Sequence, residues 1–317
     1  MTPAGCERDE GTDEGERTTM TTMSLGKGVI LDRDALRRMA VAETDEGRRE
    51  HGRTVEYGVP VLAPFDAVSV RDGIVRGIRR VVHDSGFGKV VVGISGGKDS
   101  SVTAALCVRA LGAGNVTGVL MPDGEQADIA DSREVTDALG IRHMTVNIGE
   151  IHDALLRAIP SGMLAGADGD GMSEADINVI PRLRMTVLRY VCQSTGALLM
   201  GTGNLSEMVV GYFTKDGDSS CDVAVLANLT SIEVVEVGKT LEEIPRRLVE
   251  KTPVDGLSGK TDEEKLGVSY VDIHNWIRMG TSGSSDVDAT LVALRSRTRH
   301  KRVPAPKAYE DWLSNLA

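Results

Sequence analysis

From residue 64 onward, apolar runs of four to six residues alternate with stretches whose apolar positions recur at helical spacing. A strand covered by helices on both faces reads as a continuous apolar run, so this rhythm marks βαβ units on a parallel sheet. The pattern predicts an α/β fold, a parallel twisted sheet with helices on both faces. Strands are expected at residues 90–94, 116–121, 143–147 and 197–200, each followed by Gly, Asp or Ser before a helical stretch. Ligands of such sheets lie beyond the carboxyl ends of the strands, so the residues that follow each run are where chemistry is sought. No repeat of fixed period runs through the chain.

The first part of the chain has a different texture. Residues 1–24 are rich in Glu, Asp, Gly and Thr, a composition that buries too little surface to offset ordering entropy, and a disordered acidic tail is expected there. Residues 25–64 alternate charges with short apolar patches and suggest a helix at 34–42; they carry no motif and read as an arm of unknown role. Residues 65–317 form the expected single domain.

Composition narrows the function. With 317 residues, 41% of them hydrophobic, the chain can build a substantial core. Its 47 acidic against 36 basic side chains leave a formal charge of -11, which argues against a general phosphate-binding surface for DNA or RNA. Cys6, Cys107, Cys192 and Cys221 are far apart with no C-x-x-C spacing, so they read as reduced thiols rather than a zinc knuckle or a disulfide framework. No apolar run reaches the length of a membrane span, and the acidic N-terminus does not resemble a secretory signal. A cytoplasmic protein without nucleic-acid or membrane partners is expected.

The most informative stretch is Gly93-Ile94-Ser95-Gly96-Gly97-Lys98-Asp99-Ser100, where an apolar strand breaks into a turn and then a helix. Adjacent glycines let backbone approach a ligand closely, serine hydroxyls add donors, and the helix start adds free N–H groups. That is an anion cradle, and three readings compete for it. A Walker A loop needs Ser or Thr after the lysine, where Asp99 stands. A nucleophile elbow, G-x-S-x-G, spells Gly93 to Gly97 and would make Ser95 the nucleophile of an α/β-hydrolase, with His274 or His300 as its base. The third reading, S-G-G-x-D-S, is a pyrophosphate loop of enzymes that split ATP between its α and β phosphates, with Asp99 as a magnesium ligand. Glu207 follows the 197–200 run and falls on the same carboxyl edge as Asp99; two carboxylates facing one crevice suit Mg²⁺ bridging phosphates.

With this loop the chain resembles the ammonia-dependent NAD synthetases, members of the N-type ATP pyrophosphatases, from about Phe65 to the C-terminus. The resemblance continues, in the family's order, through NVIPRLRM at 178–185, GTGNLSE at 201–207, GYFTKDGD at 211–218, DGLSGKTDE at 255–263 and HKR at 300–302. It implies a Rossmann-like adenine nucleotide α-hydrolase fold and amidation of deamido-NAD to NAD through an acyl-adenylate, with ATP as co-substrate, Mg²⁺ as cofactor, ammonia as nucleophile, and AMP and pyrophosphate as products. By resemblance Gly93, Ile94, Ser95, Gly96, Gly97, Lys98, Asp99, Ser100 and Thr202 hold ATP, and Asp99 with Glu207 ligates magnesium. Arg182, Lys215, Asp222, His300 and Lys301 then bind the deamido dinucleotide, with Lys215 or Asp222 orienting ammonia beside Asp99 in the catalytic set. A homodimer is implied too. Since 64 residues precede Phe65 and a fused glutaminase would need roughly 200, free ammonia, or ammonia from a separate protein, is expected to serve.

Three positions depart from the family pattern. Ser231 stands where a phosphate-contacting lysine is usual, Val254 replaces a Ser or Thr, and Val225 replaces a proline. These departures keep open an amide-forming relative acting on another carboxylate, while a binding subunit without turnover is a further rival.

Overall fold

The structure is a computed structural model that describes residues 53–54, 60–61, 65–125, 129–160, 173–251 and 261–303. The expected tail, the helix expected at 34–42, Val254 and residues 255–260 lie outside the described residues. Arg53–Thr54 and Pro60–Val61 pair antiparallel.

The domain opens on helix α1, Ala67–Asp84, capped by the Asp66 carboxylate, which accepts from the Val68 N–H. Strand β1, Val90–Gly93, leads into α2, Lys98–Leu111; β2 is Val116–Leu120, α3 Ile129–Ala138, β3 Arg142–Thr145 and α4 Gly149–Ala158. The long helix α5, Glu174–Thr195, precedes β4, Leu198–Gly201, then α6, Leu205–Val210, and the short strand β5, Val223–Ala224. Helices α7 Ser231–Gly238, α8 Arg246–Val249, α9 Asp262–Leu266, α10 Tyr270–Met279, α11 Ser285–Arg297 and α12 Arg299–Arg302 complete the described chain.

The five strands lie in the order β3-β2-β1-β4-β5, every neighbouring pair parallel. The α/β architecture read from the apolar runs is therefore correct. β1 is central and carries no exposed surface at Val90, Val91 or Val92; each such side chain contributes about 1.5–3 kcal/mol of burial. Val90 and Val92 face one layer with α2, while Val91 faces the other, with Met185 and Leu188 of α5. Two differences from expectation stand out. β3 begins and ends earlier than expected because it is an edge strand with all four residues exposed, so no burial pattern marks its limits. β5 was not foreseen, since two residues carry no periodicity.

The order of strands determines where the site lies. The chain leaves β1 toward β2 on one side, and β4 pairs with β1 on the other. The loops after β1 and β4 therefore splay apart over a crevice, the switch point where ligands of open parallel sheets bind.

Candidate active site at the switch point

The loop after β1 is shaped by close packing. Gly96 has φ +79, and a Cβ there would lie 2.8 Å from Asp131 Cβ and 2.9 Å from the Ser132 nitrogen. Gly97 then caps α2 in extended conformation, and its carbonyl accepts from the hydroxyls of Ser100 and Ser101 at 3.1 and 2.8 Å. Ser95 Oγ lies 3.1 Å from Ser100 Oγ, and the Ser95 N–H donates to that same Ser100 oxygen. The first N–H groups of α2 are left without intrahelical partners and face the positive end of the helix dipole toward the crevice. This is an anion cradle with its hydroxyls already locked in place. The hydrolase reading loses one of its two candidate bases: His274 is held by Thr230, Oγ1 to Nδ1 2.8 Å, while the Ser95 hydroxyl is 3.1 Å from that of Ser100.

The loop after β4 brings the second half. Asn204 caps α6 in a reciprocal box with Glu207, in which the Glu207 N–H donates to Asn204 Oδ1 and Glu207 Oε2 accepts from the Asn204 N–H at 2.9 Å. The remaining Asn204 amide donates to Asp99 Oδ1 at 3.2 Å, so one side chain ties the two strand ends together. Lys98 Nζ sits 2.5 Å from Asp99 Oδ2 and 5.6 Å from the ring centre of Tyr270. Buried Asp262 accepts from the hydroxyls of Tyr270 at 2.9 Å and Tyr212 at 3.2 Å. Burial pushes the Glu207 carboxyl well above its ordinary range and the Asp99 charge adds to this, while Lys98 and the Asn204 N–H oppose it. The paired acids thus lack a full complement of positive charge.

That donor set fits a magnesium ion. Among the described residues no group of three or more His, Cys, Asp or Glu is arranged to hold a metal. Mg²⁺ keeps several waters and is ordinarily held by one or two carboxylates plus substrate phosphates, which is what Asp99 and Glu207 beside an anion cradle offer.

The remaining expected residues divide into two groups. The turn 211–218 docks on α5 through Thr214, whose hydroxyl donates to Asn178 Oδ1 at 2.5 Å, and this brings exposed Arg182 Nε within 3.2 Å of the Lys215 carbonyl. Gly211, at φ +74, lets Thr298 approach so closely that a Cβ would lie 2.2 Å from Thr298 Cβ. Through that contact α12 reaches the same turn: Lys301 Nζ donates to the carbonyls of Gly211 and Phe213 at 2.9 and 2.7 Å. Two of the three Lys301 donors are thus spent on backbone; His300 is exposed. Asp222 is placed apart from the strand tips. Its Oδ2 accepts from the Leu199 N–H at 2.8 Å, inside β4, and its Oδ1 pairs with Arg189 Nη1 of α5 at 2.5 Å. Thr202 lies partly buried just past β4.

Asn204, Asp262 and Tyr270 escaped the sequence reading as contributors. The first two stand inside quoted motifs, and only their contacts reveal their parts; Tyr270 had no signal. Ser231 is 4% exposed and its N–H donates to Ser206 Oγ at 3.0 Å, so it presents no charge to the crevice. Val225 has joined the core. A separate cleft of about 720 Å³, lined by Asp123, Asn147, His152 and neighbours at the ends of β2 and β3, shares no residue with the cradle.

Behind the crevice His274 is 1% exposed, and burial holds its imidazole below the ordinary value of 6.5, with Glu233 opposing and Arg278 adding to the shift. The unfolded chain therefore binds the extra proton as pH falls below 6.5. Stability is complete above that point and declines below it, by up to about 1.4 kcal/mol per pH unit for one such group. Urea midpoints at about pH 7.5 and 5.5 should fall further apart in the wild type than in His274→Gln; equal differences would remove His274 from the account.

Residues 70–305 match the family model described as NAD synthase. An NH3-dependent NAD+ synthetase of Methanococcoides burtonii is 36% identical over 272 residues, 79% of this chain and the whole of that protein. Among solved structures, the NMN synthetase of Francisella tularensis superposes with a TM-score of 0.70 at 29% identity, covering 77% of this chain and 98% of that one. The NAD+ synthetase of Burkholderia pseudomallei gives 0.63 at 28% identity, covering 76% and 91%. With the crevice, its cradle and this extent of matching in hand, the chain belongs to the NAD synthase family, whose members are amide-forming ligases that use ATP.

Proposed function

We propose that this chain converts deamido-NAD to NAD by adenylating the nicotinate carboxylate with ATP and passing the acyl group to ammonia. The observation that carries this reading is the meeting of Asp99 and Asn204 with Glu207 in the crevice beside the Ser95 to Ser100 cradle. A free carboxylate resists attack by ammonia because oxide would have to leave; an acyl-adenylate lets AMP leave instead. The cradle binds the β and γ phosphates and keeps the departing pyrophosphate in place through the α2 N–H groups and the Ser95 and Ser100 hydroxyls. Asp99 and Glu207 would hold Mg²⁺, which supplies charge neutralisation between phosphate oxygens when bound. Thr202 lies along the ATP side. Arg182, Lys215, His300 and Lys301 hold the dinucleotide, and Lys215 orients ammonia. For Asp222, its ion pair with Arg189 favours a part in fixing the wall on which the substrate rests. A homodimer in the cytoplasm, supplied with free ammonia or by a separate protein, completes the reading.

A second substrate has a specific observation in its favour. The likeness to the NMN synthetase supports the mononucleotide carboxylate as an acceptor of the same chemistry. Incubating the protein with ATP, Mg²⁺, ammonium and either carboxylate, followed by mass spectrometry, separates the two: the dinucleotide should be consumed faster. If neither gave pyrophosphate release, the ligase reading would fall.

Ammonium must shed a proton before it attacks. At subsaturating NH4Cl the rate should climb several-fold from neutrality to about pH 9. A flat profile would point to delivery of nitrogen in another form.

A further inference from the structure

Both oxygens of Asp99 are already engaged. Oδ1 accepts from Asn204 and Oδ2 from Lys98, at 3.2 and 2.5 Å. Lys98 is 4% exposed, a rare placement for a lysine unless its charge is matched. Its ammonium lies over the Tyr270 ring, whose hydroxyl is held by Asp262, so aromatic and carboxylate groups enclose it on several sides. The ammonium is therefore the built-in positive charge of an acidic pocket.

We propose that Lys98 is the resident counter-ion of the Asp99 and Glu207 pair, and that a divalent ion binds only as the Lys98 ammonium leaves Asp99 Oδ2. This rests on the reading of those acids as a metal site. Two cations on one carboxylate oxygen would stand about 4 Å apart and repel strongly in a poorly screened crevice. Lys98 is the first residue of α2, beside the cradle, and its flexible stem lets the ammonium turn onto a phosphate without backbone movement. Nucleotide phosphates thus give the displaced charge a new partner, and metal affinity is coupled to nucleotide. Lys98 is in this sense a positioning residue that holds the metal affinity of the pocket low until ATP arrives.

The test is Mn²⁺ binding by calorimetry without nucleotide, on wild type, Lys98→Gln and Asp99→Asn. Removing the ammonium should tighten Mn²⁺ by roughly tenfold or more, and the gain should vanish when ATP is present. Loss of binding in Asp99→Asn together with unchanged affinity in Lys98→Gln would overturn the counter-ion role alone. Unaltered binding in Asp99→Asn would overturn the metal site and the inference with it. Should Lys98→Gln not fold, the wild-type protein carries the test. Its Lys98 Cε resonance, identified by its disappearance in Lys98→Arg, should shift when saturating Mg²⁺ is added without ATP; a resonance that stays in place overturns the inference.

Discussion

Replacing Asp99 by Asn, or Glu207 by Gln, should lower turnover by roughly a thousandfold or more while leaving the fold intact. The two substitutions are nearly isosteric and keep most of the surrounding hydrogen bonds. Asn at 99 still offers Oδ1 to the Asn204 amide, which now donates at 3.2 Å. Gln at 207 still offers an oxygen to the Asn204 N–H, so α6 keeps its cap. What each removes is a formal charge from a crevice where Asp99 and Glu207 sense one another strongly enough to raise the Glu207 pKa, after burial. Neutralising Glu207 should even relax that repulsion, so the metal-free thermal midpoint of Glu207→Gln should stay level or rise. The signature of a metal site is this opposition, turnover down and stability not down, read from pyrophosphate release and a melting curve on the same sample. Activity near the wild-type level in either variant would take the divalent ion out of the proposed chemistry. A loss of stability matching the loss of rate would recast the pair as a structural brace.

Much of this site could be read before any coordinates, and the reason is topological. Asp99 and Glu207 each follow an apolar run within a few residues, and in a parallel sheet every such position lies on one edge. Only the strand order β3-β2-β1-β4-β5 makes β1 and β4 neighbours and so turns two edge residues into a pair. The sequence could not say how the charges are balanced. Lys98 looked like one residue of a phosphate loop, but its side chain runs back to Asp99 and Tyr270, and Tyr270 comes from a helix 172 residues further along the chain. Long-range contacts of that kind leave no local period. The same limit applies to Asp222, which the resemblance gives to the substrate while its side chain is engaged by Arg189 and the Leu199 N–H. Lys301, given to the dinucleotide by the resemblance, also donates to the carbonyls of Gly211 and Phe213, contacts that no local pattern announces.

Gly96→Ala should be the most damaging single methyl group in the chain's cradle. The backbone there sits at φ +79, which costs an L-residue about 1–2 kcal/mol before any collision is counted. The new Cβ would then lie 2.8 Å from Asp131 Cβ and 2.9 Å from the Ser132 nitrogen, inside van der Waals contact on both counts. Asp131 cannot easily retreat. Its carboxylate is gripped by Arg247 Nη1 at 2.9 Å and Lys251 Nζ at 2.8 Å, which tie the first turn of α3 to the segment around α8. The loop must move instead, and with it Gly97, whose carbonyl aligns Ser100 and Ser101 and whose position sets the start of α2. Strain and lost alignment therefore fall on the same atoms that would hold pyrophosphate. The expected result is a melting temperature lower by at least about 5 °C and a rise in KM for ATP together with a fall in kcat. Gly114→Ala is the matching control, because nothing lies within 4 Å of its added Cβ and its φ is not positive; it should behave as wild type. If Gly96→Ala kept both its melting temperature and its ATP kinetics, the contact between the loop and α3 would be looser than these distances require, and the cradle would not depend on it.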